Sequence, residues 1–260
     1  MFRDCEKVES INLSSFDTSN VKNMSFMFMD CLNLKTLDLS SFDTSNVRNM
    51  HDMFGGCKTL TELELSNFNT SKVNNMLHMF GHCMSLKKLD LSSFNTRNVT
   101  NMSHMFIYDN SLESLNISSF NTCNVTLMDH MFTGCESLKE LDLSNFNTSK
   151  ITHMTQMFTM CKNLKTLNIS SFNTSRVVDM SNMFYGCESL EYLDLSNFDM
   201  SNVRNISEMF AYCMNLDDLT IDMDDLRDDV ISKMVFHWCP DYIIDKFKPY
   251  IYDKYIIEHI

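Results

Sequence analysis

Leu34–Cys57, LKTLDLSSFDTSNVRNMHDMFGGC, carries the reading that decides the fold. Its two halves have different hydrophobic periods. In the first, Leu37 and Leu39 alternate with Thr36, Asp38 and Ser40, the period of two that sends successive side chains of a strand to opposite faces. In the second, Val47, Met50, Met53 with Phe54, and Cys57 recur three or four residues apart, which predicts one face of a short helical turn. Asp43, Thr44 and Ser45 stand before it as capping candidates.

The stretch is one copy of many. Phe16, Phe42, Phe68, Phe94, Phe120, Phe146, Phe172 and Phe198 fall at one constant interval without an insertion, and a second column runs from Phe2 and Phe28 to Phe210 at the same interval, each Phe preceded by Met. A unit of this size cannot bury its apolar side alone, so copies stack and bury a shared core. The expectation is an α/β, right-handed, leucine-rich-repeat-like solenoid: one parallel sheet of short strands, short helical turns opposite, and a C-terminal helical cap. Residues 1–221 would form the solenoid, in about eight and a half repeats, and 222–260 the cap. Nine strands about 4.8 Å apart would give a sheet roughly 40 Å across.

The spacing of Leu34, Leu37 and Leu39 is the LxxLxL signature of leucine-rich repeats. With the recurring SSFDTSNV, NM, MF and GC elements, the chain resembles the BspA-like leucine-rich-repeat proteins over residues 1 to about 221. The resemblance implies a non-catalytic array for adhesion or protein binding at a microbial surface, and brings no enzymatic activity. Proteins of that kind on cell surfaces normally carry an export signal, and the opening MFRDCEKVES has no apolar core for one. The expected location is therefore cytoplasmic if Met1 is the true start, with the cell surface as the alternative the resemblance implies.

Thirty-four acidic against 21 basic residues give a net charge of −13, which speaks against contact with nucleic-acid phosphates. No apolar run has the roughly 18 residues of a membrane helix, so insertion into a membrane is not expected.

Each column supports a different role. Cys5, Cys31, Cys57, Cys83, Cys135, Cys161, Cys187 and Cys213 form one column, with Asp109 in place of a ninth, and read as buried free thiols; Cys123 and Cys239 are taken to lie off it. The Thr18 to Thr174 rank reads as caps of the helical turns. His78, His104 and His130 recur on the outward side of the second half, among Asp52, Gln156, Asn182 and Glu208; as solvated residues they need no function, and as a stack they are weak candidates for a metal site or pH response. No cofactor and no catalytic constellation is indicated.

The outward strand positions carry the binding expectation: Thr36, Asp38, Glu62, Glu64, Lys88, Asp90, Asn116, Glu140, Asp142, Asn168, Tyr192 and Asp194. Like charges about 4.8 Å apart repel by about 0.9 kcal/mol even in water, so folding gains nothing from that row. A protein partner is expected there. The chain begins inside a repeat, so its first edge is also a candidate for self-association. After Ile221 the pattern is expected to stop, with a helix opened by Asp222, Asp224 and Asp225 and closed by Pro240.

Overall fold

The computed structural model describes residues 1–224, 226 and 233–252. Six short strands follow one another, one to a repeat: β1 (Lys88–Asp90), β2 (Ser114–Asn116), β3 (Glu140–Asp142), β4 (Thr166–Asn168), β5 (Tyr192–Leu195) and β6 (Asp218–Ile221). They pair in parallel, β1 with β2, β3 with β4 and β5 with β6, and Leu89 faces Leu115, Leu141 faces Leu167 and Leu193 faces Leu219. The register equals the sequence repeat, so each coil lies on the next without slip. Instead of one continuous sheet there are three two-stranded sheets, and among the described residues no pairing joins β2 to β3 or β4 to β5.

The half of each repeat expected to be a helical turn is not helical. Asp52 and Gly56 have φ of 52° and 75°, in the left-handed region where an α-helix cannot continue. Tight turns separate them, with Met53 N–H donating to Met50 O (3.2 Å) and Cys57 N–H to Phe54 O (3.1 Å). The intervening N–H groups reach the next coil: Met50 to Asn75 O, Asp52 to Leu77 O, Phe54 to Met79 O and Gly56 to Gly81 O, at 2.8–3.0 Å. Consecutive turns of this kind produce the same three-to-four spacing of buried side chains as a helix, which is why the sequence reads as one. Isolated parallel bridges such as Asn23 with Asn49 and Asn75 with Asn101 mark this second ladder.

Between the two ladders lies a core built as files of identical side chains. Phe28, Phe54, Phe80, Phe106, Phe132, Phe158, Phe184 and Phe210 are fully buried, and neighbouring rings stack nearly parallel with centroids 5.6–5.8 Å apart. The Thr rank is buried too, and with no helix to cap it joins coils. Thr122 Oγ1 donates to Asn147 O (3.0 Å) and accepts the Asn147 N–H (2.7 Å), and the other members repeat the pair. Buried thiols do similar work, Cys57 Sγ donating to Phe28 O and Cys83 Sγ to Phe54 O.

These columns run one coil past the expected boundary at 221. Phe236, at the end of a 3-10 turn (Lys233–Phe236), stacks on Phe210 at 5.3 Å, and Cys239 Sγ donates to Phe210 O, so Cys239 belongs to the column rather than beside it. The interval from Cys213 to Cys239 equals that from Cys187 to Cys213, again without an insertion. Pro240 does not close a helix but precedes one, α1 (Asp241–Tyr252), whose Phe247 ring lies on Phe236 at 5.0 Å. Tyr242 and Lys246 of α1 donate to Leu216 O and Leu219 O. Asp225, Val230 and Ile231 of the helix expected there lie outside the described residues. Among the described residues no helix is long and apolar enough to cross a membrane.

Candidate binding face

Strand positions that point away from the core form a regular surface along the stack. Thr36, Asp38, Glu62, Glu64, Lys88, Asp90, Asn116, Glu140, Asp142, Tyr192 and Asp194 are exposed there and Asn168 is half-buried, so the coil register brings the expected residues together on one face.

The acidic row is held in fixed geometry. In Asp38, Glu64, Asp90, Asp142 and Asp194 one carboxylate oxygen accepts the N–H of the Ser two residues on, at 2.9–3.0 Å. Hydrogen bonds from that Ser hold each of these carboxyls below the usual range, so they stay charged at neutral pH. One oxygen of each carboxylate is thus tied down, and Asn116, Asn168 and Tyr192 add a weaker side-chain hydrogen bond that lowers Asp90, Asp142 and Asp194 further. Asn116 and Asn168 make the same bond to Ser118 and Ser170 at 3.2 and 3.3 Å, without the charge.

Three clefts open on this face. A cavity of about 580 Å³ lies between the coils of Leu63 and Lys88, one of about 340 Å³ between β2 and β3, and one of about 550 Å³ between β4 and β5. The last two fall at the breaks between the two-stranded sheets. These two junctions differ from the paired ones in the side chain that reaches back to the preceding coil. Within the pairs Ser119 and Ser171 donate to carbonyls of the preceding coil, whereas at the breaks the longer Asn145 and Asn197 span to Ile117 O and Phe120 O, and to Ile169 O and Phe172 O. The sequence reading named the walls of the clefts but missed this alternation. Its signal is the exchange of LNIS with LDLS and of SSF with SNF from Asn116 onward.

The His column occupies a different place from the one expected. His78, His104 and His130 are half-buried in left-handed turns rather than solvated, with ring centroids 6.3 Å apart for the first pair and 4.5 Å for the second. The Asp52 carboxylate is clamped between His51 and His78. His104 Nδ1 is buried with no partner, and burial, followed by the neighbouring His130 and His78, pushes the His104 imidazole down to about 4. Stacked rings direct their nitrogens along separate planes, and among the described residues no group of three or more His, Cys, Asp or Glu is placed to hold a metal ion. In the Cys column, Asp109 is fully buried: Oδ1 accepts the Cys83 N–H at 2.8 Å, Oδ2 has no partner, and burial raises the carboxyl far above its ordinary value.

A stack of equal coils with parallel strand pairs defines a repeat protein with one extended open face. The chain belongs to the family described as Mycoplasma protein of unknown function, DUF285, whose model matches residues 1–89, 62–144, 81–167 and 135–237. No curated protein matches it. Among solved structures it is similar to a leucine-rich repeat protein from Bacteroides ovatus, at 18% identity over 97% of this chain and 84% of the other, with a TM-score of 0.35. A leucine rich cell surface protein from Faecalibacterium prausnitzii is 16% identical over 75% of each chain, TM-score 0.32. A leucine-rich repeat protein from Eubacterium ventriosum is 14% identical over 88% of this chain and 82% of its own, TM-score 0.42.

Proposed function

We propose that the protein is a non-catalytic scaffold that binds another protein through its exposed strand face, adhesin-like in the manner of the BspA-like repeat proteins it resembles. The observation that carries this reading is the row of carboxylates fixed by Ser N–H groups on an uncovered face whose charge does nothing for the core. A right-handed course of the coils and a C-terminal cap, with α1 lying on the coil of Phe236 and Cys239, complete the proposed architecture. The net charge of −13 makes a nucleic-acid partner a poor fit to this face. The proposal assigns no catalysis to the chain.

Reversing the charge at Asp38, Glu64 and Asp90 together, each to Lys, should release a protein captured from the cells in which the chain is made. Full retention of that protein by the triple variant would move the binding site to another face. A second reading, a pH-responsive repeat, is favoured by the half-buried stack of His78, His104 and His130 and by the unpartnered His104 Nδ1.

A further inference from the structure

The clefts share a construction that the row of acids alone does not have. Leu63, Leu115 and Leu167 form their floors and are half-buried, whereas the inward leucines of the strands between, Leu89, Leu141 and Leu193, are at most 4% exposed. On the wall above each floor stands a carboxylate, Asp90, Asp142 or Asp194, each tied to the Ser two residues on. Where the acids would otherwise come every coil, Asn116 and Asn168 interrupt the row. The floors therefore recur every second coil, and from Asp90 onward so do the charges, with Glu64 standing one coil before Asp90; two coils at about 4.8 Å each span roughly 9.6 Å.

That interval is a conformational fingerprint. A polyproline II helix has three residues per turn and rises about 3.1 Å per residue, so every third side chain falls on one edge about 9.3 Å apart. An extended β-strand covers nearly the same distance in three residues but turns every third side chain to the opposite face. An α-helix returns to the same face after seven residues, about 10.5 Å, and its body is about 10 Å wide. From Asp90 to Asp194 a polyproline II chain would accumulate a mismatch of only about 0.6 Å, within the reach of a flexible lysine.

We infer that the strand face takes a basic polyproline II segment with Lys or Arg at every third position, its cations on Asp90, Asp142 and Asp194 and its proline rings on the Leu floors. The inference rests on the strand-face reading and names the partner of that site. Exposed Tyr192, on the wall of the last cleft, supplies an aromatic surface of the kind on which proline rings pack. Lys87 and Lys165 stand at the opposite ends of the strands from the acids and Lys88 shares the outward side of β1 with Asp90, so the segment runs along the acidic row with these lysines to one side of it.

The test uses fluorescent peptides of four Lys-Pro-Pro repeats, with Lys-Pro and Lys-Pro-Pro-Pro peptides of equal charge as spacing controls, measured by anisotropy at low salt. The Lys-Pro-Pro peptide should bind at least about tenfold more tightly than either control, because only its cations meet successive acids. D90N/D142N/D194N should lose about tenfold, from about 1.4- to 5-fold per exposed ion pair. That variant should melt as the wild type does, since Asn116 and Asn168 already hold the same turn. Equal binding of the three peptides would overturn the spacing inference, and if the triple Asn variant still weakened all three, the strand face would stand as a binding surface. Unchanged Lys-Pro-Pro binding by D90N/D142N/D194N would overturn the inference outright. The Lys reversal at Asp38, Glu64 and Asp90 would then decide the strand-face reading independently.

Discussion

Replacing Asp109 by Cys should stabilise the protein, by an amount that grows with pH. Asp109 sits where every neighbouring coil has a thiol, fully buried, with Oδ2 unpartnered. A buried polar atom without a hydrogen bond costs about 1–3 kcal/mol, and a thiol at 109 would donate to Phe80 O as Cys83 donates to Phe54 O. Little is lost in exchange, because the Cys83 N–H that donates to Asp109 Oδ1 also donates to Phe80 O at 3.1 Å. The pH term follows from the raised carboxyl. An unfolded Asp releases its proton near pH 3.9 while the buried one keeps it, so the folded state binds more protons and stability falls as pH rises, by about 1.36 kcal/mol per unit. Asp109→Cys should therefore gain about 1–3 kcal/mol from the orphan oxygen together with a term that is larger at pH 7 than at pH 5. Urea unfolding at the two pH values measures it. Asp109→Asn is the control, abolishing the pH term while leaving a polar group buried. A D109C variant no more stable than the wild type at pH 7, or a difference that ignores pH, would refute the assignment of Asp109 as a buried neutral acid.

The His stack makes the opposite prediction. His104 is held to about 4 in the folded chain, so the unfolded chain binds the extra proton first, and stability is lost as pH falls below about 6.5. Its surroundings contribute in both directions, His130 and His78 lowering the imidazole and Asp129 and Asp52 raising it. His104→Asn should flatten the acid limb of a melting-temperature profile between pH 4 and 6.5 without a backbone cost, since Asn182 already occupies that turn at φ 56°; an unchanged limb would place the sensitivity elsewhere. Thr122→Val keeps the shape of the rung but strips both bonds to Asn147, leaving its N–H and C=O without this partner, and should cost at least about 2 kcal/mol by urea unfolding. A loss under about 0.5 kcal/mol, the ordinary size for a surface substitution, would mean the rung is dispensable.

Much of this architecture was legible because the repeat has no insertions. One fixed interval sets the register of every strand pair, and the alternation around Leu89 or Leu141 identifies its inward side. The second half misled because spacing reports which side chains are buried together and not how the backbone brings them there. Val47, Met50, Met53 and Cys57 are buried as a helical stripe would bury them, yet the left-handed residues at 52 and 56 send the N–H groups to the next coil. Asp52 and His78 belong to residue types that take a positive φ more readily than most, but they announce it less plainly than Gly56 does. Cys239 and Phe236 were legible and were missed, because the strand half of that last coil diverges while its turn half keeps the interval. As for the candidate site, the face could be read from single columns, but the clefts depend on two columns varying together.

That joint variation explains how a uniform stack acquires a patterned surface. Every rung that holds the coils together, whether Thr to backbone, thiol to carbonyl or Phe on Phe, is nearly the same from coil to coil, so none can distinguish one place along the stack from another. The choice between Ser and Asn at 119, 145, 171 and 197 can. Both satisfy the same carbonyls of the preceding coil, but the amide is longer, and the strands it bridges lie at the breaks in pairing. The strand pairing is thus interrupted at the two junctions bridged by Asn145 and Asn197 without leaving those carbonyls unsatisfied, which would be the larger penalty. The same two-coil alternation puts Asn on one wall of each break and Asp on the other, Asn116 facing Asp142 and Asn168 facing Asp194, so each facing pair is charged on one side only.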